Sequence, residues 1–466
     1  MILDKIKVLC LVMGLMLSGA ILRAEGYYGL PDSLSTRAQM SILVASPSPM
    51  EVYTLYGHAG YRVQDSVQGI DVTFNYGIFD FSDDFLPRFI KGQTDYIVVA
   101  QRTQDYMDEY LHRGSQVTEL VLNLSPQVQA NAWRYLLWNV QPENRTYRYN
   151  FFYDNCATRL VQICADAIRQ TDRIAPIEGT GEMLRQVHRL QLPGAEVEQN
   201  IDVDADRPWK YIPRVGINVG VNKYSLSWRD LINELEGEFP WLVLGTDLAL
   251  GMPTDEKMAD AERIFLPHLL QEALEQSSYL EYHERLSDGV VESREVLVEQ
   301  EAGIIAHVNT YGEHAPLESR PWESYLTHPI VIFGLLALLS LYIFIREGGR
   351  WLVILIFALS GLGGSLLFYI AVLSEHPHVW PNFNLWVLHP LHLLIAVPLM
   401  LLGKKSRWAY RYHFANFVAQ AMFLVLAWSL PQTFNVAVYL LSLSLLLLSL
   451  SQIKRSRMQP DESHLQ

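Results

Sequence analysis

The segment Phe151-Phe152-Tyr153-Asp154-Asn155-Cys156-Ala157-Thr158-Arg159 sets a cysteine in the first turn of an expected helix, behind an aromatic approach and a polar cap. Backbone N–H groups at a helix start have no partner within the helix, and the macrodipole there favours negative charge. A thiol so placed ionises more easily, and the same N–H groups can hold the oxyanion of an attacked carbonyl. The competing reading of Cys156 is an inert buried thiol. Cys164 lies eight residues further along the same helix, too far to bridge to Cys156, and reads as a buried structural cysteine. An unpaired thiol in a chain bound for an oxidising compartment calls for an explanation.

A thiol nucleophile needs a base, and His58 in Leu55-Tyr56-Gly57-His58-Ala59-Gly60 is the best candidate, at the entry to an expected strand. The flanking glycines leave room around the imidazole. His112, His188 and His268 sit in helical or polar contexts typical of surfaces. Sites of this kind add a polar side chain that orients the imidazole. Asn75, in Phe74-Asn75-Tyr76-Gly77, suits that role and suits equally a turn that ends a strand, with Asp80 a weaker substitute. Tyr153, Asn155 and Arg159 could line the site or hold a phosphate, and plain capping or surface roles suit them as well.

The elements that position these residues read as a mixed α+β domain. Strands are expected at Gln39–Ser46, Gly60–Gln64, Asp71–Asn75, Tyr96–Ala100 and Val117–Leu122, each rich in β-branched or aromatic residues. Ser125-Pro126 caps and starts a helix that runs to about Val140, and another runs from Asn155 to about Ile168. Past Arg207 come an amphipathic stretch, a turn-like segment from Gly245 to Asp255 and an acidic, expectedly helical run to about Glu301.

The chain of 466 residues is soluble in character first and membranous second. Half of its residues are hydrophobic, 18% are charged, and the net charge is -14. Nearly all the acidic excess precedes residue 325, which gives no reason to expect nucleic acid as a partner. Lys5 and Lys7, the apolar stretch Val8–Ile21 and the small residues Ala20 and Ala24 suggest a secretory signal over residues 1–24, or else an uncleaved anchor helix. Five apolar segments follow, at about His328–Ile345, Trp351–Leu373, Leu385–Leu402, Phe414–Leu430 and Phe434–Leu450, each long enough to cross a hydrocarbon core of about 30 Å. Arg346 and Arg350, then Lys404, Lys405, Arg407 and Arg411, then Lys454, Arg455 and Arg457 mark the first loop, the third loop and the tail as cytoplasmic. The expected layout is a signal at 1–24, a periplasmic thiol domain at 25–200 and a periplasmic helical extension or stalk at 201–325. A five-helix transmembrane domain at 326–453 and a cytoplasmic tail at 454–466 complete it, in an inner membrane.

The ordered set Gly57-His58-Ala59-Gly60, Asn75-Tyr76-Gly77-Ile78-Phe79-Asp80-Phe81 and Tyr153-Asp154-Asn155-Cys156-Ala157-Thr158-Arg159 resembles the Lnb N-terminal periplasmic domain family. Its histidine-before-cysteine order resembles circularly permuted papain-like folds related to NlpC-type enzymes. The likeness extends to Asp247-Leu248-Ala249-Leu250-Gly251-Met252-Pro253, and His376-Pro377 and Asn382-Phe383-Asn384-Leu385-Trp386 resemble the family's second-loop pattern. The sequence departs at Ala157, where many relatives carry a hydroxyl residue. The resemblance implies a permuted papain-like periplasmic domain followed by an all-α bundle of five transmembrane helices. It implies a lipoprotein N-acyltransferase that takes an acyl chain from a phospholipid donor to a diacylated lipoprotein acceptor through Cys156, with His58 and Asn75. Tyr76, Tyr153, Asn155, Arg159, His376, Asn382 and Asn384 would line the site or dock lipid. His376, His378, His389 and His392 have only Glu375 as a carboxylate companion, so docking is preferred to a metal site and no cofactor is expected. Two other readings stay open: a membrane-tethered peptidoglycan amidase or peptidase using the same pair, and a non-enzymatic envelope scaffold or sensor.

Overall fold

The computed structural model describes residues 29–79, 85–180, 183–192, 226–258, 260–286, 297–314, 326–402 and 407–457. The expected signal, Asp80, the amphipathic stretch up to residue 225, Lys404, Lys405 and the last residues of the tail lie outside the described residues. The chain divides into two compact units. Described residues before 90, from 94 to 192 and from 260 to 314 form the first, and residues 90–93, 226–258 and 326–457 form the second.

In the first unit the strands are β1 (Gln39–Ala45), β2 (His58–Asp65), β3 (Ile70–Ile78), β4 (Asp95–Arg102), β5 (Val117–Leu122), β6 (Thr146–Arg148), β7 (Arg173–Pro176), β8 (Met183–Gln191), β9 (Ser278–Leu286), β10 (Leu297–Gly303) and β11 (Ile305–Tyr311). Seven of them make a sheet in the order β11-β5-β1-β2-β3-β4-β6, with every neighbour antiparallel. A second sheet runs β10-β9-β8-β7. The large sheet is covered on both faces, so its central strand β1 reads as an almost unbroken apolar run. Helix α1 (Thr103–His112) lies over one face, where Tyr106 and Tyr110 pack with Leu43, Ala45 and Val117. Helices α2 (Pro126–Asn139) and α3 (Cys156–Arg169) close the main core on Ala59, Tyr61, Val63, Phe74 and Tyr76.

Two parts of the expected layout change. The acidic run to Glu301 is not helical throughout: after the helix Pro267–Glu275 it forms β9 and β10, and β11 follows. Leu280 and Tyr282 are buried two residues apart, the period of a strand, beneath the glutamates that suggest a solvated helix. Nor do the described residues between 201 and 325 all belong to one unit. Residues 260–314 return to the first unit, where β11 pairs with β5 at the edge of the large sheet, while residues 226–258 belong to the second unit.

The second unit contains α4 (Trp228–Glu236), α5 (Pro240–Ala249), α6 (Pro329–Arg346), α7 (Arg350–Phe368), α8 (Arg407–Leu426) and α9 (Val436–Arg457). Among the described residues, length and apolarity single out three spans able to cross a membrane: Pro329–Arg346, Arg350–Leu373 and Val436–Arg455. The third apolar segment is broken into a 3-10 turn Phe383–Trp386, a π-helix His392–Ala396 and a short helix Val397–Leu401. The fourth, α8, buries His413, Asn416 and Gln420, and its Asn416 and Gln420 bond Ser449 and Ser442 of α9.

Arg229 of α4 is buried and holds this unit's extramembrane part together. Its guanidinium meets Asp247 at 3.0 Å and Asp255 at 3.0 Å, and also donates to the carbonyls of Leu250 and Gly251. Asn435 ahead of α9 donates to Asp247, and Asp255 accepts from the Thr433 N–H, so one cation organises segments almost two hundred residues apart. Removing it leaves two carboxylates without their counter-charge, which costs on the order of 3–5 kcal/mol for a buried pair. Arg229→Ala is therefore expected to lower the thermal midpoint of the full chain in detergent sharply, and Arg229→Lys, which cannot serve all these acceptors at once, to recover it only in part. An unchanged midpoint in Arg229→Ala would contradict this account.

Candidate active site

The N-terminus of α3 meets the start of β2 at one end of the large sheet. Asn155 is the helix cap: its Oδ1 accepts from the N–H groups of Ala157 at 2.9 Å and Thr158 at 3.0 Å, and the Thr158 hydroxyl accepts from the Asn155 N–H. Its Nδ2 donates to the carbonyls of Phe151 and Phe265. The cap leaves Cys156 at the first helical position, where the N–H groups of Ala59, Ala157 and Cys156 itself are directed at its sulfur. Ala59 is the residue after His58, so thiol and imidazole flank the same strand start.

His58 stands on the α1 face of the sheet. Its Nε2 bonds Asn75 Oδ1 at 2.7 Å, diagonally across the β2–β3 pair, in which Gly60 opposes Asn75. Asn75 Nδ2 donates to Gln101 Oε1 at 3.4 Å, which turns the amide oxygen toward the imidazole. Because that oxygen only accepts, Nε2 carries the ring proton and Nδ1 keeps its lone pair. Tyr110 lies parallel beneath the ring at 5.2 Å. The glycines beside His58 serve the backbone and α1 more than the imidazole. Gly57 has φ +73°, and a Cβ there would meet the Ala45 carbonyl at 2.7 Å, while one on Gly60 would meet Thr73 at 2.8 Å and Tyr106 at 3.0 Å.

The electrostatics depart from what a helix start alone suggests. Burial pushes the Cys156 thiol up to about 11, outweighing the three N–H groups that favour the thiolate. Burial likewise drives His58 down to about 4, against the supporting bond from Asn75 and with help from the Arg113 charge. From about pH 5 to pH 10 both groups rest neutral, the thiol at the start of α3 and the imidazole at the start of β2. A neutral thiol can add to an acyl carbonyl only if a base takes its proton as the new bond forms.

The remaining candidates separate by location. Arg159 is tied in a buried ion pair to Asp154, at 2.6 and 2.8 Å, with its guanidinium 3.5 Å over the Tyr147 ring. Tyr76 is buried on the opposite face from Asn75 and donates to Asn139. Both therefore serve the core. Tyr153 is exposed beside the site. Cys164 is fully buried and its thiol is pushed up to about 12. His376, Asn382 and Asn384 belong to the second unit. There His376 lines a cavity of about 280 Å³ with Ser374, His378 and Trp380. Asn382 and Asn384 donate to carbonyls at the end of α5 (Asp247, Leu248 and Ala249), which fixes the loop. Sequence reading missed Gln101, Tyr106 and Tyr110; the two tyrosines carry a legible signal in their spacing of four on one helix. Among the described residues no group of three or more His, Cys, Asp or Glu gathers as metal ligands would.

Residues 33–186 match the family model of the Lnb N-terminal periplasmic domain, and residues 322–458 match that of the Lnb transmembrane domain. No curated protein and no solved structure matches the chain.

The thiol's position predicts how it titrates. Since a raised value means that thiolate is scarce at neutral pH and grows tenfold per unit up to about 11, labelling of Cys156 by a small alkylating agent should be slow at pH 7 and climb without a plateau through pH 10. A plateau below pH 8, read by peptide mass spectrometry, would mean that the helix N–H groups prevail over burial.

Proposed function

We propose that this chain, which belongs to the Lnb family by both its periplasmic and its transmembrane domain, is a lipoprotein N-acyltransferase of the inner membrane with its thiol domain in the periplasm. Family membership suggests an enzyme, and a periplasmic domain joined to a membrane-spanning one suggests a membrane protein. The chemistry is our reading. One observation carries it: the Cys156 sulfur faces the main-chain N–H of Ala59, the residue that follows His58, and Asn75 sets the tautomer of that histidine.

In the first half-reaction Cys156 attacks an acyl ester of a phospholipid. His58 Nδ1 takes the thiol proton as the C–S bond forms, the N–H groups of Ala59 and Cys156 hold the oxyanion, and the proton passes to the leaving oxygen of the lysophospholipid. In the second, the α-amine of a diacylglyceryl-cysteine lipoprotein attacks the thioester. Its proton travels through His58 to the departing sulfur, so an amide forms and the thiol returns. Cys156 and His58 are the catalytic residues; Asn75 is a positioning residue. A histidine-bearing strand ahead of a cysteine-bearing helix is the order of a permuted papain-like domain, and the loop charges favour five crossings with a cytoplasmic C-terminus.

Mass spectrometry of a lipoprotein N-terminus tests the reading, in a host that lacks its own N-acyltransferase. The wild type should add a third acyl chain and leave lysophospholipid, and Cys156→Ala and His58→Ala should add none. Acylation that survives both substitutions, or cleavage of muropeptides without acylation, would overturn it. Asn75→Ala should lower kcat by about tenfold or more. Asn75→Asp keeps an acceptor and adds a charge that stabilises imidazolium, so it should keep more activity while its acid limb moves up from about pH 4. A merely structural role for Asn75 would leave that limb in place.

A further inference from the structure

The segment that leads into His58 carries three exposed apolar side chains in close succession: Met50, Val52 and Tyr53 are 60%, 46% and 45% exposed. They do not stand out because the segment is loose. Thr54 beneath them is buried, its hydroxyl donating to the carbonyls of Ser48 and Glu51 at 2.8 Å, and the Ser48 hydroxyl donates to the Arg113 carbonyl at 2.6 Å. A held turn that presents apolar groups to solvent marks a surface with a partner.

We propose that Met50, Val52 and Tyr53 form an apolar lip that enters the outer leaflet and receives phospholipid acyl chains for the thiol site. This rests on the acyltransferase reading for its purpose, and on the lip alone for its contact with lipid. Two lines of aromatic contacts run between the lip and the site. Tyr53 meets Phe79 at 6.1 Å, Phe79 stacks on Tyr96 at 5.0 Å, and Tyr96 stacks on Tyr149 at 4.3 Å, which packs against the core cluster that includes Cys156. From the other end of the same turn, Tyr56 meets Phe151 at 5.1 Å, on the approach to Cys156. Such a wall is apolar enough to take a hydrocarbon chain. The Arg113 guanidinium lies 5.6 Å over the Tyr53 ring and bonds its hydroxyl, and it also pairs with Glu109 at 3.0 Å and, within the lip, with Glu51 at 3.8 Å. A cation beside an aromatic side chain is the pairing that settles at the headgroup boundary. The occupant is a bilayer because the same chain carries helices apolar and long enough to cross one, which keeps a membrane within reach.

The test uses the full chain in nanodiscs of phosphatidylethanolamine and phosphatidylglycerol. A photoreactive benzophenone side chain at position 53 should crosslink radiolabelled phospholipid, and the same group at position 174, where Ile174 on β7 is more exposed than Tyr53, should not. Equal labelling at the two positions, or crosslinking of position 53 to a second copy of the chain in place of lipid, would overturn the lip. Independently, Val52→Asp should raise KM for a bilayer-resident phospholipid donor about tenfold and leave turnover of a water-soluble butyryl thioester within about twofold, with Val52→Leu behaving as wild type. Equal loss with both donors would indicate damage to the site and would also overturn it. If the wild type transfers no acyl group from either donor, the acyltransferase reading falls, and the crosslinking still decides whether the lip meets lipid.

Discussion

Asn155 commits its whole side chain to backbone partners, and the surroundings of the thiol follow from that. Its oxygen closes the first turn of α3 and its nitrogen ties down Phe151 and, from more than a hundred residues further on, Phe265. The aromatic approach, the helix start and the returning C-terminal segment of the first unit are thereby held to one side chain. A residue with one oxygen and one NH₂ group on a short stem suits this: aspartate would have no donor for the two carbonyls, and serine would reach too few partners at once. With the cap fixed, Cys156 takes the first helical position and its sulfur faces the N–H of Ala59.

From that placement comes a balance between two opposing effects. The helix start and the β2 N–H favour a thiolate, and the dense core around the sulfur disfavours any charge. Burial wins for both members of the pair, in opposite directions for acid and base, so neither charge exists at rest. On the acyltransferase reading proposed above, a neutral pair needs its proton path already aligned, because the thiolate would appear only during the reaction. The fixed tautomer of His58, set by Asn75 and backed by Gln101, supplies that alignment. Tyr110 stacked under the ring limits its tilt.

The second unit solves a different problem with similar means. Helices that bury serine, asparagine and glutamine against one another keep their register by hydrogen bonds, since apolar side chains gain little by leaving lipid for protein. Outside those helices, Arg229 and its two aspartates bind α4 and α5 to the turn before α9, and the side-chain amides of Asn382 and Asn384 grip the end of α5. Close approach matters inside as well. A Cβ on Gly361 would strike the Leu393 backbone at 2.2 Å and one on Gly364 the His389 backbone at 2.5 Å, in keeping with a packing role for those glycines.

By itself the sequence determined what depends on near neighbours along the chain. A polar cap before Cys156 placed it at a helix start, β-rich runs placed His58 at the entry to one strand and Asn75 at the end of another, and long apolar runs marked three spans able to cross a membrane among the described residues. It also pointed to the right family through those motifs. Only the tertiary structure decided what depends on distant partners. It determined that Arg159 is neutralised by Asp154 within the core, and that Asn382 and Asn384 hold a loop. It showed β9, β10 and β11 where an acidic run suggested helix, and assigned residues 226–258 and 260–314 to different units. The direction of the thiol's shift belongs to this second group. A helix start is a local property readable from a cap, whereas desolvation sums over every atom packed around the sulfur, and most of those atoms come from elsewhere in the chain.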